Sequence, residues 1–148
     1  MSRLWMLALA GAVLMHSCVA HAQDADAVMR QFFATWDDNA RVTPEAVNAL
    51  YAPHVIYYGQ AMTPAQVFAN KQAFIRRWPN RHYAVVPGTT SKTCDAGKRR
   101  CRVGVTLAYR TSSDTRRASG ETRVTLELVN QGSQFKIARE SGRPVSDR

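Results

Sequence analysis

The spacing of apolar residues changes once along this chain, and that change dictates what it can fold into. Up to about residue 80 the apolar side chains recur at helical spacing, interrupted by one short strand-like run; from Arg81 onward they alternate. Helix-period segments followed by a run of period-two strands build an α+β domain, with the helices on one face of an antiparallel sheet.

The helical part divides at its own signals. Val28, Phe32 and Trp36 recur every fourth residue beside Met29 and Phe33, which predicts a helix over 24–41 with Asp24 and Asp26 at its positive end. Thr43-Pro44-Glu45 is an N-cap followed by proline in the first turn, and opens a second helix with Val47, Leu50 and Tyr51 for its core face. His54 to Tyr58 reads as a short strand ended by Gly59. Thr63-Pro64-Ala65-Gln66 has capping-box spacing and starts a third helix, which Pro79 ends at Trp78.

Four strands are expected after it. The first covers His82 to Thr93, bent at Pro87-Gly88. Val103, Val105, Leu107 and Tyr109 share one face of the second, and Val124, Leu126 and Leu128 one face of the third. Asn130-Gln131-Gly132-Ser133 makes a hairpin turn, Phe135 and Ile137 belong to the last strand, and residues after Gly142 are expected to fray.

The first 22 residues carry an export pattern. Arg3 gives a positive start, Leu4 to Met15 is apolar and uncharged, and Ala20-His21-Ala22 presents small residues at a cleavage site. The apolar run is well short of the roughly 20 residues that span a bilayer. Cys18 suggests a lipoprotein, but Met15-His16-Ser17 matches a lipobox poorly. The reading is a signal peptide over 1–22, cleaved near Ala22, and one domain over 23–148 in the periplasm or medium. Arg3 is the one cation within that segment, so the mature chain keeps all but one unit of the formal charge of +9. Such a surface suits an acidic protein or an anionic cell-envelope component; export argues against nucleic acid.

Two cysteines then remain. Cys94 and Cys101 flank Asp-Ala-Gly-Lys-Arg-Arg between two strand-like segments, which in an oxidising compartment reads as a disulfide across a hairpin. With His54 and His82 the imidazoles left and no CxxC pair, neither a metal site nor a cofactor is expected.

The element order resembles the NTF2-like (SnoaL-like, cystatin-like) cone over nearly all of residues 23–148. The resemblance is carried by Ala49-Leu50-Tyr51-Ala52 leading into His54-Val55-Ile56-Tyr57-Tyr58-Gly59, by Lys71 through Trp78, and by Gln134 through Gly142. Tyr57-Tyr58-Gly59 and Arg76 through Tyr83 are similar to small NTF2-like modules of secreted bacterial proteins, which bring no activity with them. The resemblance implies a strongly curved antiparallel sheet and a pocket between it and the long helix. Candidate lining residues are Trp36, Tyr57, Phe74, Trp78, Tyr109 and Leu126.

Some proteins of this fold are isomerases, dehydratases or cyclases, which need an acid or base in that pocket. No Asp or Glu occurs between Glu45 and Asp95. The resemblance places a steroid-isomerase-like base within Val55-Ile56-Tyr57-Tyr58, where none stands. Asp37, Asp38, Glu127 and Glu140 remain as substitutes; His54 and His82 read as structural, and no GxSxG motif is present. The distinctive polar feature is a basic surface. Arg76, Arg77 and Arg81 interleave with Tyr57, Tyr58, Trp78 and Tyr83, and Lys98, Arg99 and Arg100 lie in the cysteine loop. The bland alternative leaves Trp78 in the core and the arginines solvated around the helix end. The expected function is binding of a small ligand or a partner without catalysis, with a homodimer through the sheet face possible in this fold. The alternatives are a pocket enzyme of isomerase or lyase type and a cell-envelope or secretion-system accessory.

Overall fold

The computed structural model describes residues 24–145, so the export segment, Cys18 and the cleavage near Ala22 lie outside the described residues. Helix α1 (Ala25–Trp36) starts where the Asp24 carboxylate accepts from the Ala27 N–H at 2.6 Å. It buries Val28, Phe32 and Trp36, as their spacing predicts. It stops five residues short of expectation. Asp38 turns its carboxylate back to the Ala40 N–H and caps a separate 3-10 turn, Asn39–Arg41; short acidic side chains compete in this way for helical N–H groups. Helix α2 (Pro44–Leu50) is capped by Thr43, and α3 (Pro64–Arg77) carries the reciprocal Thr63/Gln66 capping box. Within α3 only Val67 is fully buried, so this helix rests on the domain along a narrow stripe.

The strands are β1 (Tyr51–Tyr57), β2 (Gln60–Met62), β3 (Asn80–Val85), β4 (Ser91–Cys94), β5 (Arg100–Ser112), β6 (Arg117–Gln131) and β7 (Gln134–Pro144). They form one sheet in the order β2-β1-β7-β6-β5-β3, with β4 also on β5. Three helices pack on it, the expected α+β layout, but the sheet is mixed where an antiparallel one was expected: β1 runs parallel to β7. β1 is flanked by its hairpin partner β2 on one side and by β7 on the other, and a parallel pair needs a long connection, which the whole chain between β1 and β7 supplies. The single bent strand expected over 82–93 is two strands, β3 and β4, interrupted where Gly88 takes φ +75°. Residues 143–145 are not frayed: Arg143 and Pro144 pair with Arg123 and Thr122, and the Val145 N–H donates to the Glu121 carbonyl.

Cys94 and Cys101 face each other in register and are bonded. Asp95 closes the loop between them, its carboxylate accepting from the N–H groups of Arg99 and Arg100. Closing so short a loop removes about 2.5 kcal/mol of chain entropy from the unfolded state. C94S/C101S is therefore expected to unfold at lower urea with about that loss of stability. Equal midpoints for oxidised wild type and the double variant would contradict it.

Candidate functional site

The concave face of the sheet and the stripe of α3 enclose a pocket of about 820 Å³. α1 supplies Phe32, Phe33 and Trp36; the end of α3 supplies Phe74, Ile75 and Trp78; β3 and β5 supply Tyr83, Val85, Leu107 and Tyr109. The β1–β2 connection is a two-residue turn in which Tyr58 (φ +48°) and Gly59 (φ +86°) are both left-handed, as a tight hairpin requires. That turn sets the half-exposed Tyr58 ring at the mouth, edge-on to Tyr57 at 4.8 Å. Opposite it stands Gly142, whose missing side chain leaves the room that the Tyr58 hydroxyl takes.

At the floor lies a charged pair. Glu140 is 1% exposed, the most buried charged group among the described residues. Its Oε2 accepts from the Tyr51 hydroxyl in a short hydrogen bond, and its Oε1 from Lys71 Nζ at 3.0 Å. The Lys71 ammonium sits in a cage of ring faces, 4.3 Å from the centre of Trp36, 5.3 Å from Tyr57 and 5.7 Å from Phe32. Burial pushes the Tyr51 phenol well above its ordinary range, and the Glu140 charge adds to the shift. Tyr57 is raised for the same two reasons in the same order. Tyr58 and Tyr83 move the same way, burial first. All four phenols are therefore donors over the physiological range.

A backbone irregularity puts Glu140 there. Phe135 and Ile137 point inward, so strict alternation would send Arg139 into the pocket and Glu140 to the outer face. The β6–β7 register slips between Glu127 and Leu128, leaving Ala138 unpaired as a bulge. Arg139 then pairs with Glu127 on the outside, and Glu140 turns inward. In the adjoining strand its register partner is Tyr57. The carboxylate absent from 55–58 is thus supplied one strand over.

Of the six residues expected to line the pocket, Trp36, Tyr57, Phe74, Trp78 and Tyr109 do. Leu126 does not: at 2% exposure it is core. The residues that sequence reasoning missed at the floor are Lys71 and Tyr51. Lys71 was legible in one respect, as a lone cation on the Val67–Lys71–Phe74–Ile75 stripe of α3. Asp37 lines the mouth and accepts from the Tyr83 N–H; Asp38 and Glu127 are exposed in ion pairs with Arg41, and with Arg102 and Arg139. His54 and His82 are exposed on β1 and β3.

The expected basic surface is not one surface. Arg81 is a clamp, donating to the carbonyls of Trp78 and Trp36 and to Asn39 Oδ1. Arg76 and Arg77 are exposed beside the Ser112 end of β5, whereas Lys98, Arg99 and Arg100 are exposed at its other end. A 13-residue strand separates the two groups by about 40 Å.

No protein-family model matches the chain, and no curated protein matches it. Solved structures do. An uncharacterised protein with a cystatin-like fold from Caulobacter vibrioides is 19% identical, with 82% of this chain and 87% of that one covered and a TM-score of 0.68. A protein designated a scytalone dehydratase, from Novosphingobium aromaticivorans, is 12% identical over 82% and 81%, with a TM-score of 0.65. A protein designated a ketosteroid isomerase, from Shewanella frigidimarina, is 17% identical over 78% and 91%, with a TM-score of 0.62. At these identities the likeness is one of fold: the chain has the NTF2-like, cystatin-like α+β cone.

Proposed function

We propose that this chain is an exported domain that binds an uncharged, largely aromatic or alicyclic small molecule in its cone, without transforming it. The observation that carries the reading is the floor of the pocket. Both Glu140 oxygens already accept a donor, from Tyr51 and Lys71, so neither is poised toward a substrate proton. The ammonium has donors left over. A ligand carbonyl or ether oxygen can take one, whereas a ligand carboxylate would set a second anion against a single buried cation. The aromatic walls supply the rest of the affinity through buried area. The N-terminal export pattern and the Cys94–Cys101 bridge support the exported location.

A neutral naphthyl dye whose emission rises in apolar surroundings tests this. Micromolar binding is expected for the wild type. It should fall at least tenfold in A34W and A118W, which place indoles at exposed lining positions without disturbing the core. Binding unchanged in both variants would remove the pocket from the reading.

A second reading is favoured by one observation, a buried carboxylate facing an apolar cavity, as acid–base enzymes use. The resemblance in fold to proteins designated dehydratase and isomerase is consistent with it. It requires Lys71 or Tyr51 to release an oxygen of Glu140 when substrate enters. Turnover of a cyclic ketone or alcohol, lost in E140Q while dye binding persists, would establish this reading over the first.

A further inference from the structure

The face of the sheet opposite the helices carries two arginines, Arg110 and Arg117, that no ion pair in the described residues compensates. Strand alternation puts Thr111 and Tyr109 toward the pocket, so Arg110 and Ser112 point the other way. Register extends that into a grid of two rows across three strands: Asn80–Ser112–Arg117, and beside it His82–Arg110–Ser119. The six residues contain two arginines, a histidine, an asparagine and two serines, and no acid. Arg110 and Arg117 are diagonal neighbours, roughly 7–8 Å apart at their Cβ atoms. Among the described residues neither guanidinium, nor the His82 ring, makes a hydrogen bond or an ion pair.

Three other arginines on that face have partners, while Arg100 and Arg143 at its margins have none among the described residues. Arg102 and Arg139 flank Glu127 at 3.7 and 3.3 Å, and Arg123 donates to the Thr89 carbonyl and to Ser91. Two acids stand beside the grid, Asp114 in the β5–β6 turn and Glu121 in the next row opposite Ala108, and neither forms an ion pair with Arg110 or Arg117. The six residues line a groove of about 550 Å³. Two planar forks with hydroxyl and amide groups between them match a tetrahedral oxyanion with three or more acceptor oxygens.

We propose that this groove is a binding site for a phosphate group, held by Arg110 and Arg117 and completed by His82, Ser112 and Ser119. It is separated from the aromatic pocket by the sheet, and stands whether or not that pocket binds a ligand. The phosphate belongs either to a small free ester or to a lipid headgroup.

Amide spectra of 15N-labelled protein, titrated with inorganic phosphate against chloride at equal ionic strength, test the site. Saturable shifts confined to residues 80–82, 110–112 and 117–119 are expected. Affinity should fall about tenfold in R110S/R117S and be unchanged in K98S/R99S, whose cations lie at the far end of β5. Glycerol 1-phosphate in solution and sedimentation with phosphatidylglycerol vesicles, against phosphatidylcholine, then separate the two sources. Binding of either one, lost in R110S/R117S, supports the site. Shifts of equal size at Lys98–Arg100, a double variant that binds like wild type, or phosphate no tighter than chloride would overturn it.

Discussion

Lys71→Ala is expected to cost about 3–5 kcal/mol of unfolding free energy, because it strands a buried carboxylate. Glu140 would keep Tyr51 and lose its counter-charge in a wall of rings, where water replaces an ammonium poorly. Removing both charges together with the hydroxyl that Glu140 accepts from, in Y51F/K71M/E140L, should restore stability to within about 1 kcal/mol of wild type or exceed it, since apolar groups of similar volume often match a buried ion pair. Urea unfolding of the three proteins measures the difference directly. A loss of under about 1 kcal/mol in K71A would mean that water reaches Glu140 freely. The floor would then be wet, and the case for an uncharged ligand would go with it.

Alkali should unfold the domain steeply. Tyr51 and Tyr57 are buried, and both phenols are raised above their ordinary value of 10.0. Above pH 10 the unfolded chain has released these two protons while the folded chain still holds them. The unfolded state then binds fewer protons, so stability falls as pH rises. The slope is about 1.4 kcal/mol per pH unit for each phenol. The two together should cost about 2.4 kcal/mol between pH 10.5 and 11.5, while stability below pH 9 should hardly depend on them. Tyrosinate absorbance near 295 nm should rise together with loss of the circular dichroism signal. Ionisation of all the tyrosines near pH 10 in a still-folded protein would contradict the burial of the site.

The course of the backbone could be read from local signals because each is a short-range physical preference. Thr43 and Thr63 cap the helices they announce, Pro79 stops α3, and the alternation of Val103, Val105 and Leu107 puts one face of β5 inward. Errors arose where one residue competes with a pattern. Asp38 ends α1 early by capping a new turn, and Gly88 splits one strand into two. The functional floor was the least legible part. Glu140 faces inward through one unpaired residue, and a bulge has no signature in a sequence that otherwise alternates. Sequence reasoning found no acid between Glu45 and Asp95 and kept Glu140 as one of four substitutes; a parallel neighbour delivers it from more than 80 residues away. The two basic patches, one at the end of α3 and one in the cysteine loop, stand apart. Residues close in composition were placed by β5 at opposite ends of the sheet.

The pairing of β1 with β7 also governs the order in which the protein can be made. β7 lies between β1 and β6, so the sheet has two halves that touch only through the last strand synthesised. Until residues 134–144 arrive, β1 and β6 each present an open edge and Lys71 has no counter-charge. Loop-closure entropy across such a separation is paid before any contact repays it, which makes this the slow event of folding. A chain made from its N-terminus therefore keeps its sheet open until residues 134–144 join it. Chaperone dependence and protease sensitivity should be concentrated in that interval, with closure of β7 the step that ends both.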